Sequence, residues 1–199
     1  MSVAENIVHL FIHYGIIQGI LLAVWLFLHR RQKVLSFFFL SLSYLLFIFL
    51  FEIEGWYQFA PHLIWTNVPV WFLIAPLLFL HIKKAVKPSE NKLKIKDLAH
   101  FLPAVVAIIH VFPFYLKSAS EKIEIFQSFY SQTSNIDYVQ LLYFLQILSY
   151  AIIGTLNIKK HLERIKDQNS NSKFIHLQLI SSMYYILFGY IVVTIAITM

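Results

Sequence analysis

Cysteine is absent from all 199 residues. Disulfide frameworks, thiolate zinc sites and cysteine nucleophiles are excluded together, and the redox compartment stays open. Glycine is scarce at five residues, and none of them builds a phosphate-cradling loop. Neither an HExxH pair nor a GxSxG elbow occurs. No carboxylate pair sits inside an apolar run, which argues against a proton-coupled carrier or an intramembrane aspartyl protease. Charge is scarce too: 13% of residues, against about 25% in an ordinary soluble domain.

What fills the chain instead is apolar. Hydrophobic residues make up 59%, and the mean hydropathy is +0.68. Sixteen basic and ten acidic side chains, gathered in clusters, cannot wet the surface of so large a core. The expected solvent is a lipid bilayer. Crossing its hydrocarbon needs about 20 mostly apolar residues per helix. Six stretches qualify: Ile7 to Leu28, Val34 to Phe51, Leu63 to Ile82, Leu98 to Leu116, Tyr138 to Ile158 and Phe174 to Thr198. Backbone amides in lipid must be satisfied within their own segment, so the expected fold is all-α, a single six-helix membrane bundle over residues 1–199. The first stretch is no cleavable signal peptide, because His29, Arg30 and Arg31 follow a long apolar run where small residues would be needed.

The basic residues orient the bundle. Fourteen of the sixteen fall in the first, third and fifth connections: Arg30, Arg31 and Lys33; Lys83 to Lys96; and Lys159 to Lys173. The opposite side keeps only Lys117 and Lys122, with six of the ten acids. The N-terminus is therefore expected outside and the basic loops in the cytoplasm. The isoelectric point near 9.4 then reports topology before it reports any nucleic-acid partner. The expected location is the inner (cytoplasmic) membrane of a bacterium, as a multi-pass protein.

Several segments say more than crossing. Gly15-Ile16-Ile17-Gln18-Gly19 is a GxxxG pattern, where small residues let a second helix approach and Gln18 can hydrogen-bond across the contact. That face suits packing within the chain, a homodimer, or a ligand at Gln18. Pro69 and Pro76 in the third span, and Pro103 and Pro113 in the fourth, each remove a backbone donor, which makes kinks and hinges the expectation. His9 and His13 share a helical face, and topology puts them near the outer surface with Glu52, Glu54, Trp56 and His62. His110 lies in the outer half of the fourth span.

Ionisable groups at a membrane default to functional suspicion, so His9, His13, Glu52, Glu54, Trp56 and His110 are the candidate ligand-binding residues. Interfacial, structural histidines are the competing reading. A single HxxxH pair without a second box does not point to metal, so no metal, cofactor or catalytic residue is assigned. Between Lys117 and Asp137, Ile123, Phe126, Phe129 and Tyr130 recur at helical spacing, predicting a short amphipathic helix that lies on the lipid, or else acts as a lid. Internal repeats and the matched broken helices of an inverted-repeat carrier are not evident.

Four segments in order carry a resemblance. Gly15 to Gly19 precedes Arg30-Arg31; Ala75-Pro76-Leu77-Leu78-Phe79-Leu80 leads into Lys83, Lys84 and Pro88; Lys96-Asp97-Leu98-Ala99-His100-Phe101-Leu102-Pro103 opens the fourth span; and Arg164-Ile165-Lys166-Asp167-Gln168 follows the fifth. Together they resemble the N-terminal membrane domain of membrane-bound AraC-type transcription regulators of the Bacteroidetes kind, over essentially the whole chain. The resemblance implies a sensory module that controls a cytoplasmic helix-turn-helix DNA-binding domain. DNA is then a partner only through a C-terminal domain absent from these residues. With the N-terminus outside, one further span would return the chain to the cytoplasm, so a truncated regulator is expected, with a natural short protein that has lost the domain as the competing explanation. The family supplies no catalytic or ligand residues. Asp97, His100 and Pro103 match its pattern and read as structural, with Asp97 suiting a helix start. The signal, a small molecule or a membrane state, is unknown. A stand-alone membrane scaffold, or less readily a histidine-using membrane enzyme or haem protein built on His9, His13 and His110, are the alternatives.

Overall fold

The computed structural model describes residues 3–29, 32–86, 94–131 and 138–166, together with Ser182, Tyr185 and Gly189. Among the described residues seven α-helices follow one another: α1 (Val3–Leu28), α2 (Lys33–Ile53), α3 (Asn67–Val86), α4 (Ile95–Leu98), α5 (Leu102–Tyr115), α6 (Ala119–Ser131) and α7 (Tyr138–Lys166). Short 3-10 turns at Trp56–Gln58 and Pro61–Leu63 precede α3, and another at Ala99–Phe101 joins α4 to α5. No strand occurs among the described residues. Among the described residues five helical segments are long and apolar enough to cross a membrane: Asn6–Leu28, Lys33–Ile53, Pro61–Lys84, Ile95–Tyr115 and Tyr138–Lys160. They coincide with the first five expected spans to within a few residues. The sixth, Phe174 to Thr198, lies outside the described residues apart from Ser182, Tyr185 and Gly189.

The described helices sort into two compact units. One holds residues 1–77 and 98–135, the other 78–97 and 136–199.

In the first unit, α1 and α2 form a tight antiparallel hairpin. Ile12, Gly15, Gly19, Ala23 and Leu26 recur every three or four residues and so make one stripe along α1. Ile12, Ala23 and Leu26 are buried, while Leu10, Phe11, Tyr14, Ile17 and Leu21 are well exposed. Exposed apolar faces of this kind suit lipid. The stripe meets α2 closely. A Cβ on Gly15 would stand 3.0 Å from Leu46, and one on Gly19 would stand 2.1 Å from Ser43 Oγ. Higher up, the buried Ser36 hydroxyl donates to the Ala23 carbonyl at 2.7 Å, an interhelical bond worth about 0.6–2 kcal/mol in a membrane helix pair. The GxxxG face is thus taken up by α2. Gln18, expected to bond across the contact, is instead exposed.

The prolines divide in a way their number alone does not suggest. Pro69 falls in the first turn of α3 and Pro103 in the first turn of α5, where no intrahelical donor is lost. Pro69 lies near the start of α3, and Pro103 directly follows the 3-10 turn Ala99–Phe101 that interrupts the Ile95–Tyr115 span. Pro76 and Pro113 lie inside their helices.

In the second unit, Val139, Ile147, Ala151 and Ile158 form the buried stripe of α7. Phe79 meets Tyr150 at 5.4 Å between ring centres. Asp97, only 4% exposed, accepts from Lys83 Nζ at 2.5 Å and from the Lys94 backbone N–H at 2.9 Å. The second bond ties an acid in the first turn back to the residue before the helix, half of a capping box. Asp97 is the buried partner and Lys83 stays partly exposed, so removing Lys83 leaves the carboxylate without its ammonium and with the Lys94 amide.

Candidate functional site

The candidate site grows out of how α2 ends. Glu54 closes the helix, and Gly55 follows in the left-handed region at φ +70°, its N–H bonding the Glu52 carbonyl at 3.2 Å. A residue with a Cβ would be strained there by about 1–2 kcal/mol. The reversal turns the chain into Trp56–Gln58 and then Pro61–Leu63. Trp65 also has positive φ, at 60°. A bulky residue holds that conformation only where packing over-determines it. Here the indole lies 4.3 Å from the Phe114 ring and edge-on to Phe129 at 5.8 Å.

Helix α6 docks onto this platform. Ser118, Glu121 and the chain between them form a full capping box: Ser118 N–H donates to Glu121 Oε2 at 2.8 Å, and Glu121 N–H faces Ser118 Oγ at 3.4 Å. The Ser118 hydroxyl also donates to Glu121 Oε2 at 2.6 Å. These bonds, the hydroxyl's first and the amide's next, hold the Glu121 carboxyl below its ordinary range. Next to Glu121, and one turn on from Ser118, Lys122 is only 1% exposed. Its ammonium donates to the Tyr115 carbonyl at the end of α5, at 2.9 Å, and to His62 Nδ1 at 2.8 Å. A cation on the last carbonyls of a helix meets both orphan acceptors and the negative end of the dipole.

Phe126, on the same face as Lys122, is buried with Phe51, Ile64 and Phe114, and its ring stands 4.7 Å from that of Tyr57. The amphipathic helix therefore exists where it is expected, but Phe126 is covered by protein, not lipid. An apolar side chain gains as much against aromatic rings as against acyl chains, and the Lys122 anchor decides between them.

Beside this cluster an open cavity of about 400 Å³ is lined by Phe49, Glu52, Ile53, Tyr57, Phe126 and Gln127. Its size falls in the range of about 300–1,000 Å³ usual for small-molecule sites. The six candidate residues are distributed unevenly around it. Glu52 lines it. His9 Nδ1 instead meets Glu54 Oε1 at 2.8 Å, tying the start of α1 to the end of α2. His13 Nδ1 donates to the His9 carbonyl one turn back at 2.7 Å. Trp56 and His110 are exposed and do not line the cavity. His9, His13 and Glu54 thus form one chain of contacts.

Sequence reasoning passed over Tyr57, Gln127 and the buried Lys122. The Ser-x-x-Glu signature before α6 was there to be read, and so was a lysine one turn from Phe126 on an apolar face. Among the described residues no three histidine or carboxylate groups come together as a metal site. No family model, no curated protein and no solved structure matches this chain.

Proposed function

We propose that this chain is the membrane-embedded sensory module of an AraC-type transcription regulator, in the inner membrane with its N-terminus outside and its basic connections in the cytoplasm. Its six spans would carry a signal from the outer face or the bilayer to a cytoplasmic helix-turn-helix output lying outside these residues. The observation that carries the reading is the ion pair of Lys83 with Asp97. These residues belong to two of the four segments on which the resemblance rests, the Ala75-Pro76 segment with its lysines and the Lys96-Asp97 segment, so one contact accounts for both. The end of the first unit adds support. His9 is tied to Glu54 at the end of α2, and Phe126 of α6 packs there with Phe51, a supporting observation for an organised outer face.

Coupling such a site to an output requires a ligand to favour one of two helix arrangements. Pro76, buried and inside α3, is the residue best placed to let that helix bend.

The native gene beyond codon 199 tests the reading directly. The frame is expected to run through another apolar span of about 20 residues into a soluble segment with helix-turn-helix patterns. A stop codon at that point would remove the output and sink the proposal.

A further inference from the structure

Helix α7 carries its buried stripe on one side and an apolar, uncovered stripe on the other. Leu145, Leu148, Ile152 and Leu156 recur at three and four residues and are 40–61% exposed, whereas Ile147, Ala151 and Ile158 are buried. At 1.5 Å per residue the exposed stripe runs for about 16 Å, close to the ~15 Å depth of one leaflet. Lys159 and Lys160 continue the same face in the next turn and are exposed. The apolar segment Tyr138–Lys160 ends on them, so their ammonium groups stand where hydrocarbon gives way to headgroups.

Little on the chain neutralises this end. Among the described residues of the second unit, lysines and arginines far outnumber the carboxylates, which are Asp97 and Glu163. Asp97 is engaged with Lys83. Glu163 lies one turn beyond Lys159 and Lys160, and among the described residues no ion pair joins it to either. A zwitterionic headgroup would bring a further cation to this place, whereas an anionic one brings only the missing charge. A second copy of the chain fits the face badly. Copies inserted the same way round would set Lys159 and Lys160 against their own counterparts.

We infer that this face of α7 binds an anionic phospholipid, with its headgroup at Lys159 and Lys160 and an acyl chain along the stripe from Leu156 to Leu145. The inference goes beyond the sensory reading and needs only the membrane setting, not an output domain.

The test is titration calorimetry on the full chain in a neutral detergent at physiological salt, where distant charges are screened. The probe is dioctanoyl phosphatidylglycerol. Dioctanoyl phosphatidylcholine supplies a headgroup without net charge, and glycerol phosphate supplies the anion without chains. Saturable binding of phosphatidylglycerol is expected, with the other two each at least about tenfold weaker, a difference of about 1.4 kcal/mol. Lys159→Gln combined with Lys160→Gln is expected to weaken phosphatidylglycerol by at least about tenfold. Lys84→Gln combined with Lys96→Gln takes the same charge from the end of α3 and from α4, and should leave the affinity within about threefold. Thermal melts report whether each pair of substitutions folds like the parent. The headgroup comparison uses the parent chain, so it decides even where a variant fails to fold. Equal affinity for phosphatidylcholine would overturn the inference. Equal losses in the two double variants would do the same, by assigning the binding to the basic side as a whole. Glycerol phosphate binding as tightly as the lipid would replace the lipid with a soluble anion. A dimeric chain that takes up no phosphatidylglycerol would give the face to a second copy instead.

Discussion

Lys122 and Glu121 are adjacent and do opposite things. Lys122 is withdrawn from solvent and pins α6 to the end of α5 and to His62, whereas Glu121 stays in water and closes the first turn of its own helix. The Glu121 carboxyl is held low by the Ser118 hydroxyl and amide. A carboxyl lower in the folded than in the unfolded protein adds stability that is complete above its unfolded pKa and lost as pH falls through the folded one. The first turn of α6 is therefore expected to loosen in acid, below the ordinary carboxylate range of about 4. Ser118→Ala removes the larger of the two bonds. Glu121 should then titrate closer to an ordinary glutamate, as followed by carboxyl NMR shifts, and the N-terminal amides of α6 should exchange faster already at neutral pH. An unmoved titration midpoint would mean that the capping box does not set the Glu121 carboxyl.

At the scale of elements, the α1–α2 hairpin shows what small residues do when they face a partner. Gly19 leaves no room for a methyl group, since Ser43 Oγ would stand 2.1 Å from it. That hydroxyl is engaged with the Phe39 carbonyl at 2.9 Å, so turning it away sacrifices a bond. Gly19→Ala is expected to destabilise the hairpin by about 1–3 kcal/mol, the usual cost of overpacking. Ser43→Ala in the same chain removes the clashing oxygen and should recover most of the loss, a coupling that thermal melts of the single and double variants would read. Were Gly19 on a homodimer face instead, the single variant would change the oligomeric state and leave the melt of the monomer alone. The existence of this helix pair was legible from apolar length, and the closeness of its contact from two glycines four apart. Which helix fills the groove was not legible, because GxxxG specifies a distance of approach and not a partner. The prolines show the same limit. Pro69 and Pro103 fall in the first turns of α3 and α5, and a span read from hydropathy has edges too blurred to tell a first turn from a middle one. For the candidate site, His9, Glu52 and Glu54 were visible as charged residues at the end of an apolar run. Tyr57 and Gln127 were not, since what makes them a wall is the docking of α6, a contact between segments far apart in the chain.

The whole molecule poses the question of sidedness. A helical bundle has the same internal energetics either way up, and only the charges outside the hydrocarbon distinguish the two orientations. With fourteen of sixteen basic residues in alternate connections, the expected orientation puts the Trp56–Leu63 turns and α6 outside and the connection after α1 and the end of α7 inside. The chain offers a clean way to measure this, because it has no cysteine to give a background. Phe59, Ser120, Gln32 and Lys159 are all exposed, so a thiol placed at any of them is reachable by reagent from its own side. In intact spheroplasts a membrane-impermeant maleimide is expected to label Phe59→Cys and Ser120→Cys at once, and Gln32→Cys and Lys159→Cys only after permeabilisation. The reverse pattern would put the Glu52 cavity in the cytoplasm, and a signal arriving from outside could no longer be read there. Labelling of Gln32→Cys and Lys159→Cys from different sides would break the alternation of the spans between them, and with it the six-span reading. Because Lys33 starts α2 and the Glu52 cavity lies at the end of that helix, this one pattern decides both the orientation of the α1–α2 hairpin and the compartment that the cavity faces.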